Sequence, residues 1–116
     1  MNTKELSELA VEALEDVKGQ DIVCLNVEEL TQITDFMVIV TGTSTTHLRS
    51  IADELGKKVK AAGLDVVGEE GRQQAEWILV DLGGVVVHAM LARTRALYSL
   101  EDLWSFDSIG DGSNQE

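Results

Sequence analysis

Two histidines, His47 and His88, and one cysteine, Cys24, are the side chains of this sequence best suited to acid–base, metal or nucleophilic chemistry near neutral pH. None is accompanied as such chemistry requires. Neither histidine has a second histidine or a cysteine at ligand spacing, so no transition-metal site is expected. His88 lies in the apolar run Val85-Val86-Val87-His88-Ala89-Met90 and reads as a half-buried imidazole with one satisfied hydrogen bond. Paired with Asp81 across a hairpin it would make an acid–base couple, but no nucleophile, oxyanion donor or second carboxylate stands nearby in sequence. Cys24, inside Asp21-Ile22-Val23-Cys24-Leu25, reads as a residue of a buried strand with no group to lower its pKa.

The turn Gly42-Thr43-Ser44, at a strand-to-helix junction, could cradle phosphate on its amides. It has too few glycines for a P-loop and no lysine follows them. The acids after it, Asp53 and Glu54, are adjacent and mid-helix. They cannot converge on one metal as a pair one residue apart on a strand would. The five large aromatics are Phe36, Trp77, Tyr98, Trp104 and Phe106. Both tryptophans fall near element ends beside charged residues, where they either plug the edge of a core or anchor a protein interface.

The elements that position these residues follow from periodicity. Leu6, Leu9, Ala10, Ala13, Leu14 and Val17 form one stripe of a helix over 3–18, capped by Asn2 or Thr3 and stopped by a left-handed Gly19. Strands are expected at 21–27 and 35–41, the second apolar on both faces and therefore interior. A helix capped by Ser44 or Thr45 ends at Gly63. A short strand at 65–68 and a polar loop at 69–74 precede two apolar runs, 76–82 and 85–91. Gly83-Gly84 between those runs signals a β-hairpin. Residues 92–98 read as helix, and Ser99 with an acid three residues on reads as a further helix start, ending at Trp104. The expectation is a single α/β domain over 1–105, a mixed β-sheet flanked by helices, with a flexible tail at 106–116.

Bulk properties narrow the function. The 116 residues suit one domain, no proline interrupts them, and 9 basic against 21 acidic residues leave a net charge of −12. Such a chain is repelled by phosphate backbones and attracted to basic partners, although acidity also serves plain solubility. The opening Met1-Asn2-Thr3-Lys4-Glu5 resembles neither a signal nor a transit peptide, and a lone cysteine gives no sign of an oxidising compartment. No apolar run approaches the roughly 20 residues that span a bilayer. A bacterial-type cytoplasm is the expected location.

Five segments, in order and at characteristic spacing, resemble the ribosomal silencing factor (Iojap) family: Thr34-Asp35-Phe36-Met37-Val38-Ile39 with Thr41-Gly42-Thr43-Ser44 and Ile51-Ala52-Asp53; Glu70-Gly71; Trp77-Ile78-Leu79-Val80-Asp81-Leu82-Gly83; Val86-Val87-His88; and Arg95-Ala96-Leu97-Tyr98-Ser99-Leu100-Glu101-Asp102-Leu103-Trp104. The likeness spans about residues 3–105. It implies a nucleotidyltransferase-like fold without the catalytic acidic pair, no enzymatic activity and no cofactor. It also implies binding to the large ribosomal subunit through protein fourteen of that subunit, on its intersubunit face. The bound protein would sterically block joining of the small subunit and repress translation when nutrients are scarce. Organellar relatives imply a role in large-subunit assembly instead.

The family's contact positions match Trp77, Leu82 and Tyr98, with Glu69, Glu70 and Glu76 as an acidic rim facing a basic partner. Two departures are Gly84, where the family often has an acid, and the extension from Asp107 to Glu116. Neither touches those positions. Two other classes stay open. One is a nucleotidyltransferase-type enzyme with a metal and nucleotide site around Ser44, Asp53 and Asp81. The other is an assembly factor or homodimeric scaffold pairing through the first helix or the hairpin edge.

Overall fold

The computed structural model describes residues 1–100 and 102. The elements are α1 (Thr3–Asp16), β1 (Gln20–Asn26), β2 (Phe36–Gly42), α2 (Thr45–Ala61), β3 (Gly68–Glu70), β4 (Trp77–Asp81), β5 (Val85–Leu91) and α3 (Ala92–Tyr98). The sheet order is β1-β2-β5-β4-β3. Only the β2–β5 pair is parallel, so the sheet is mixed, as expected. The expected end of the last helix at Trp104 and the tail at 106–116 lie outside the described residues.

Alternation along each strand sorts side chains between the two faces. Phe36, Val38 and Val40 of β2, Ile78 and Val80 of β4, Leu82 just beyond it, and Val85, Val87, Ala89 and Leu91 of β5 pack against the apolar stripes of α1 and α2 in the main core. The other face carries a smaller cluster of Val27, Met37, Ile39 and Met90, flanked by Leu25, Trp77 and Leu100. All seven residues of β2 are buried, which explains its unbroken apolar sequence.

The ends of the elements follow local chemistry. Asn2 caps α1 through a reciprocal capping box with Glu5. Ser44 caps α2 by accepting the amide of His47 at 3.0 Å. Gly83 and Gly84 both have positive φ (82° and 96°), as a two-residue type I′ turn requires.

Several expectations need correction. The left-handed residue after α1 is Lys18 (φ 61°). Gly19 is small for another reason: a Cβ there would lie 2.6 Å from Val40 Cγ2. The short strand falls at 68–70, so Glu69 and Glu70 belong to β3 and not to a polar loop. Its backbone pairs with β4 while its acids stay near solvent, which an edge strand permits. Cys24 is exposed because β1 is the opposite edge and only partly covered; partial desolvation still pushes its thiol pKa upward. Ser99 ends α3 in a left-handed conformation (φ 48°), its hydroxyl donating back to the Ala96 carbonyl, and helix resumes at Leu100 and Asp102, where the sequence placed a new start. The hairpin's outer edges are largely taken, since β5 pairs β2 along its length and β3 pairs β4 over Leu79–Asp81.

Candidate functional site

The second sheet face brings together Trp77, His88 and Tyr98. Trp77 opens β4 opposite Met90, which makes His88 its diagonal neighbour on β5. The indole Nε1–H donates to His88 Nδ1 at 3.0 Å, with ring centroids 5.8 Å apart. The indole also meets Tyr98 of α3, at 4.8 Å between centroids and a 52° tilt. This tilted arrangement lets ring edge meet ring face. Trp77 is half-buried, whereas Tyr98 keeps 55% and its neighbour Leu97 keeps 77% of their accessible surface. Shallow hollows flank the indole. One is lined by Glu70, Gly71, Trp77 and Leu79, the other by Gly71, Gln74, Glu76, Trp77, Thr94 and Tyr98.

His88 is 7% exposed, and burial pushes its pKa down to about 4. An indole N–H can only donate, so Nδ1 must be the bare nitrogen of a neutral ring. The expected single satisfied bond of His88 is present, but its partner is Trp77. Asp81 stands opposite Val86, and its carboxylate accepts the Gly83 amide at 2.9 Å.

Two arginines hold the surroundings of the ring pair. Arg95 of α3 is 9% exposed; its Nη1 donates to the Asp21 carbonyl at 2.7 Å and to Thr41 Oγ1 at 2.9 Å. This tether fixes α3, and with it Tyr98, over the sheet. Arg49 of α2 donates to the carbonyls of Arg72 (3.0 Å) and Gln73 (2.6 Å), clamping the loop that leads into Trp77. Within that loop Gly71 has φ +94°, and a Cβ there would come within 2.2 Å of the Trp77 carbonyl oxygen. Sequence reading missed both tethers. A buried arginine carries no periodic signal, and its partners here are a carbonyl and a hydroxyl far away in the chain.

The residues expected to form the contact patch are only partly brought together. Trp77 and Tyr98 touch. Leu82 is 5% exposed and belongs to the main core behind the sheet. It lies five positions along from Trp77, an odd offset, so a regular strand sends the two to opposite faces. Of the acidic rim, Glu69 receives both Nε and Nη2 of Arg72, which also contacts Asp53 at 2.9 Å. Its charge is therefore largely answered within the chain. Glu70 is exposed, and Glu76 is exposed with only a loose 3.6 Å approach from Arg93.

The enzyme reading finds its residues dispersed. Ser44 is engaged as a cap, Asp53 lies on α2 beside Arg72, and Asp81 closes the hairpin turn. The Thr43 amide donates to His47 Nδ1 at 2.9 Å, so it is not pointing at an open phosphate site. Gly42 is small because a Cβ would lie 2.5 Å from Leu48 Cδ2. Among the described residues no three His, Cys, Asp or Glu side chains gather as a metal site, and no helix is long and apolar enough to cross a membrane.

Comparison with known proteins places this geometry in a family. The family model described as ribosomal silencing factor during starvation matches residues 1–116. A Chromobacterium violaceum protein named ribosomal silencing factor RsfS is 46% identical over 104 residues, covering 90% of this chain and 85% of the relative. A Haemophilus influenzae protein of the same name is 45% identical over 86% of this chain and 98% of its own length. More distant is a mouse protein named mitochondrial assembly of ribosomal large subunit protein 1, 35% identical, of which the match spans 47%. A crystal structure of a Chromobacterium violaceum protein superposes with a TM-score of 0.88 at 42% identity, covering 100% of this chain and 92% of that one. The chain belongs to the ribosomal silencing factor family.

Proposed function

We propose that this protein binds the large ribosomal subunit through protein fourteen of that subunit, on the face that meets the small subunit. Its bulk then obstructs subunit joining and lowers translation when nutrients are scarce. The observation that carries the reading is the half-exposed Trp77–Tyr98 ring pair, set on a rigid sheet and flanked by Glu70 and Glu76. Aromatic rings that are already ordered lose little entropy on docking, and desolvated aromatics at an interface centre dominate binding energy. The net charge of −12 favours approach to a cationic partner. Leu82 contributes from behind, by seating the hairpin on the core, and not as an exposed contact. The action is steric: no bond is made or broken, no cofactor is used, and the protein works in the cytoplasm.

The test is sucrose-gradient sedimentation of purified subunits at limiting magnesium. Wild type should hold subunits apart and migrate with the large one. Trp77→Ala should weaken binding on the order of 30-fold, as expected for a hot-spot aromatic, and restore whole ribosomes. Full activity of that variant would defeat the reading. The name of the mouse relative favours a second reading, an assembly factor for the large subunit. It predicts accumulation of immature large subunits on depletion, with joining of mature subunits unaffected.

A further inference from the structure

Resting on the docking role proposed for Trp77, we infer that His88 is a positioning residue of this surface, whose bare Nδ1 holds the indole in the orientation a partner meets. Trp77 is half-buried, while His88 beneath it is 7% exposed. The indole N–H reaches His88 Nδ1 at 3.0 Å, and the same ring packs against Tyr98. The bond thus fixes the edge of the indole away from solvent, and the tyrosine fixes its tilt. The residues directly opposite His88, Leu79 on β4 and Ile39 on β2, have no polar side-chain atom with which to take its place, and Asp81, the other diagonal on β4, accepts the Gly83 amide. Without the acceptor, the indole N–H would have to turn toward water to be satisfied, and the ring would leave Tyr98. A docking surface that must first reassemble its central ring pair binds more weakly than one already ordered.

The experiment separates an acceptor from a space-filler. Asparagine and leucine have nearly the same shape, but only asparagine places an acceptor where Nδ1 stands. His88→Asn should keep affinity for isolated large subunits within about threefold of wild type, whereas His88→Leu should lose about tenfold, the usual scale for stranding a buried donor. In uniformly 15N-labelled wild type, a scalar coupling across the Trp77 Nε1–H···Nδ1 His88 bond and slow exchange of that indole proton are expected; this needs no variant to fold. Equal binding by His88→Leu and His88→Asn, or a rapidly exchanging uncoupled indole proton, would overturn the assignment. If Trp77→Ala itself binds normally while the coupling is present, the docking role fails and the bond between the two rings stands.

Discussion

At the scale of single residues, His88 ties the fold to solution conditions. Its ordinary pKa of 6.5 falls to about 4 in the folded protein, so the unfolded chain takes up a proton that the native state resists. The neutral ring's contribution is complete above about pH 6.5, and it is lost as pH falls from there toward 4. The loss is on the order of 3 kcal/mol for a shift of this size. Chemical denaturation of wild type and His88→Asn at pH 7.5 and 4.5 should show the variant losing less stability on acidification; parallel losses would contradict this. Gly71 is the second sensitive point. Substitution by alanine combines a positive φ with a 2.2 Å collision against the Trp77 carbonyl, and should destabilise by about 2 kcal/mol in a thermal melt.

At the scale of elements, most of the architecture was legible because pattern and packing agree. β2, β5 and α3 were readable to within a residue: unbroken apolar runs become interior strands, and a Gly-Gly pair fixes the hairpin. The two edges were not legible. An apolar run does not say whether a strand has one neighbour or two, so Cys24 looked buried. Glu69-Glu70 looks like loop until a partner strand supplies its hydrogen bonds. The register of the site was available in principle. A two-residue turn at 83–84 sets Asp81 opposite Val86 and Leu79 opposite His88, which leaves Trp77 and Asp81 as the two diagonals of His88; the indole takes the bond, while the Asp81 carboxylate accepts the Gly83 amide. What no pattern held was the tether from Arg95 to the Asp21 carbonyl and Thr41. Replacing Arg95 by methionine should free α3 from the sheet, increase amide exchange across 92–98 and reduce partner affinity; unchanged exchange would refute the tether. Asn2→Ala, which removes the capping box of α1, should cost about 1 kcal/mol and leave partner binding intact.

At the scale of the whole molecule, the sheet divides the labour. α1 and α2 seal one face into the main core, and the other face presents the rings, held by α3 and the clamped loop. An acidic body that meets a cationic surface should associate more slowly as salt rises, with dissociation less affected. Stopped-flow association with large subunits at increasing potassium chloride reads this directly. The central claim is that the Trp77–Tyr98 face meets one particular ribosomal protein. It is tested most directly by replacing Tyr98 with a photoreactive phenylalanine, irradiating the complex with large subunits, and identifying the attached protein by mass spectrometry. The account predicts attachment to protein fourteen of the large subunit, abolished by Trp77→Ala. Attachment elsewhere on a subunit that still binds the protein tightly would contradict it.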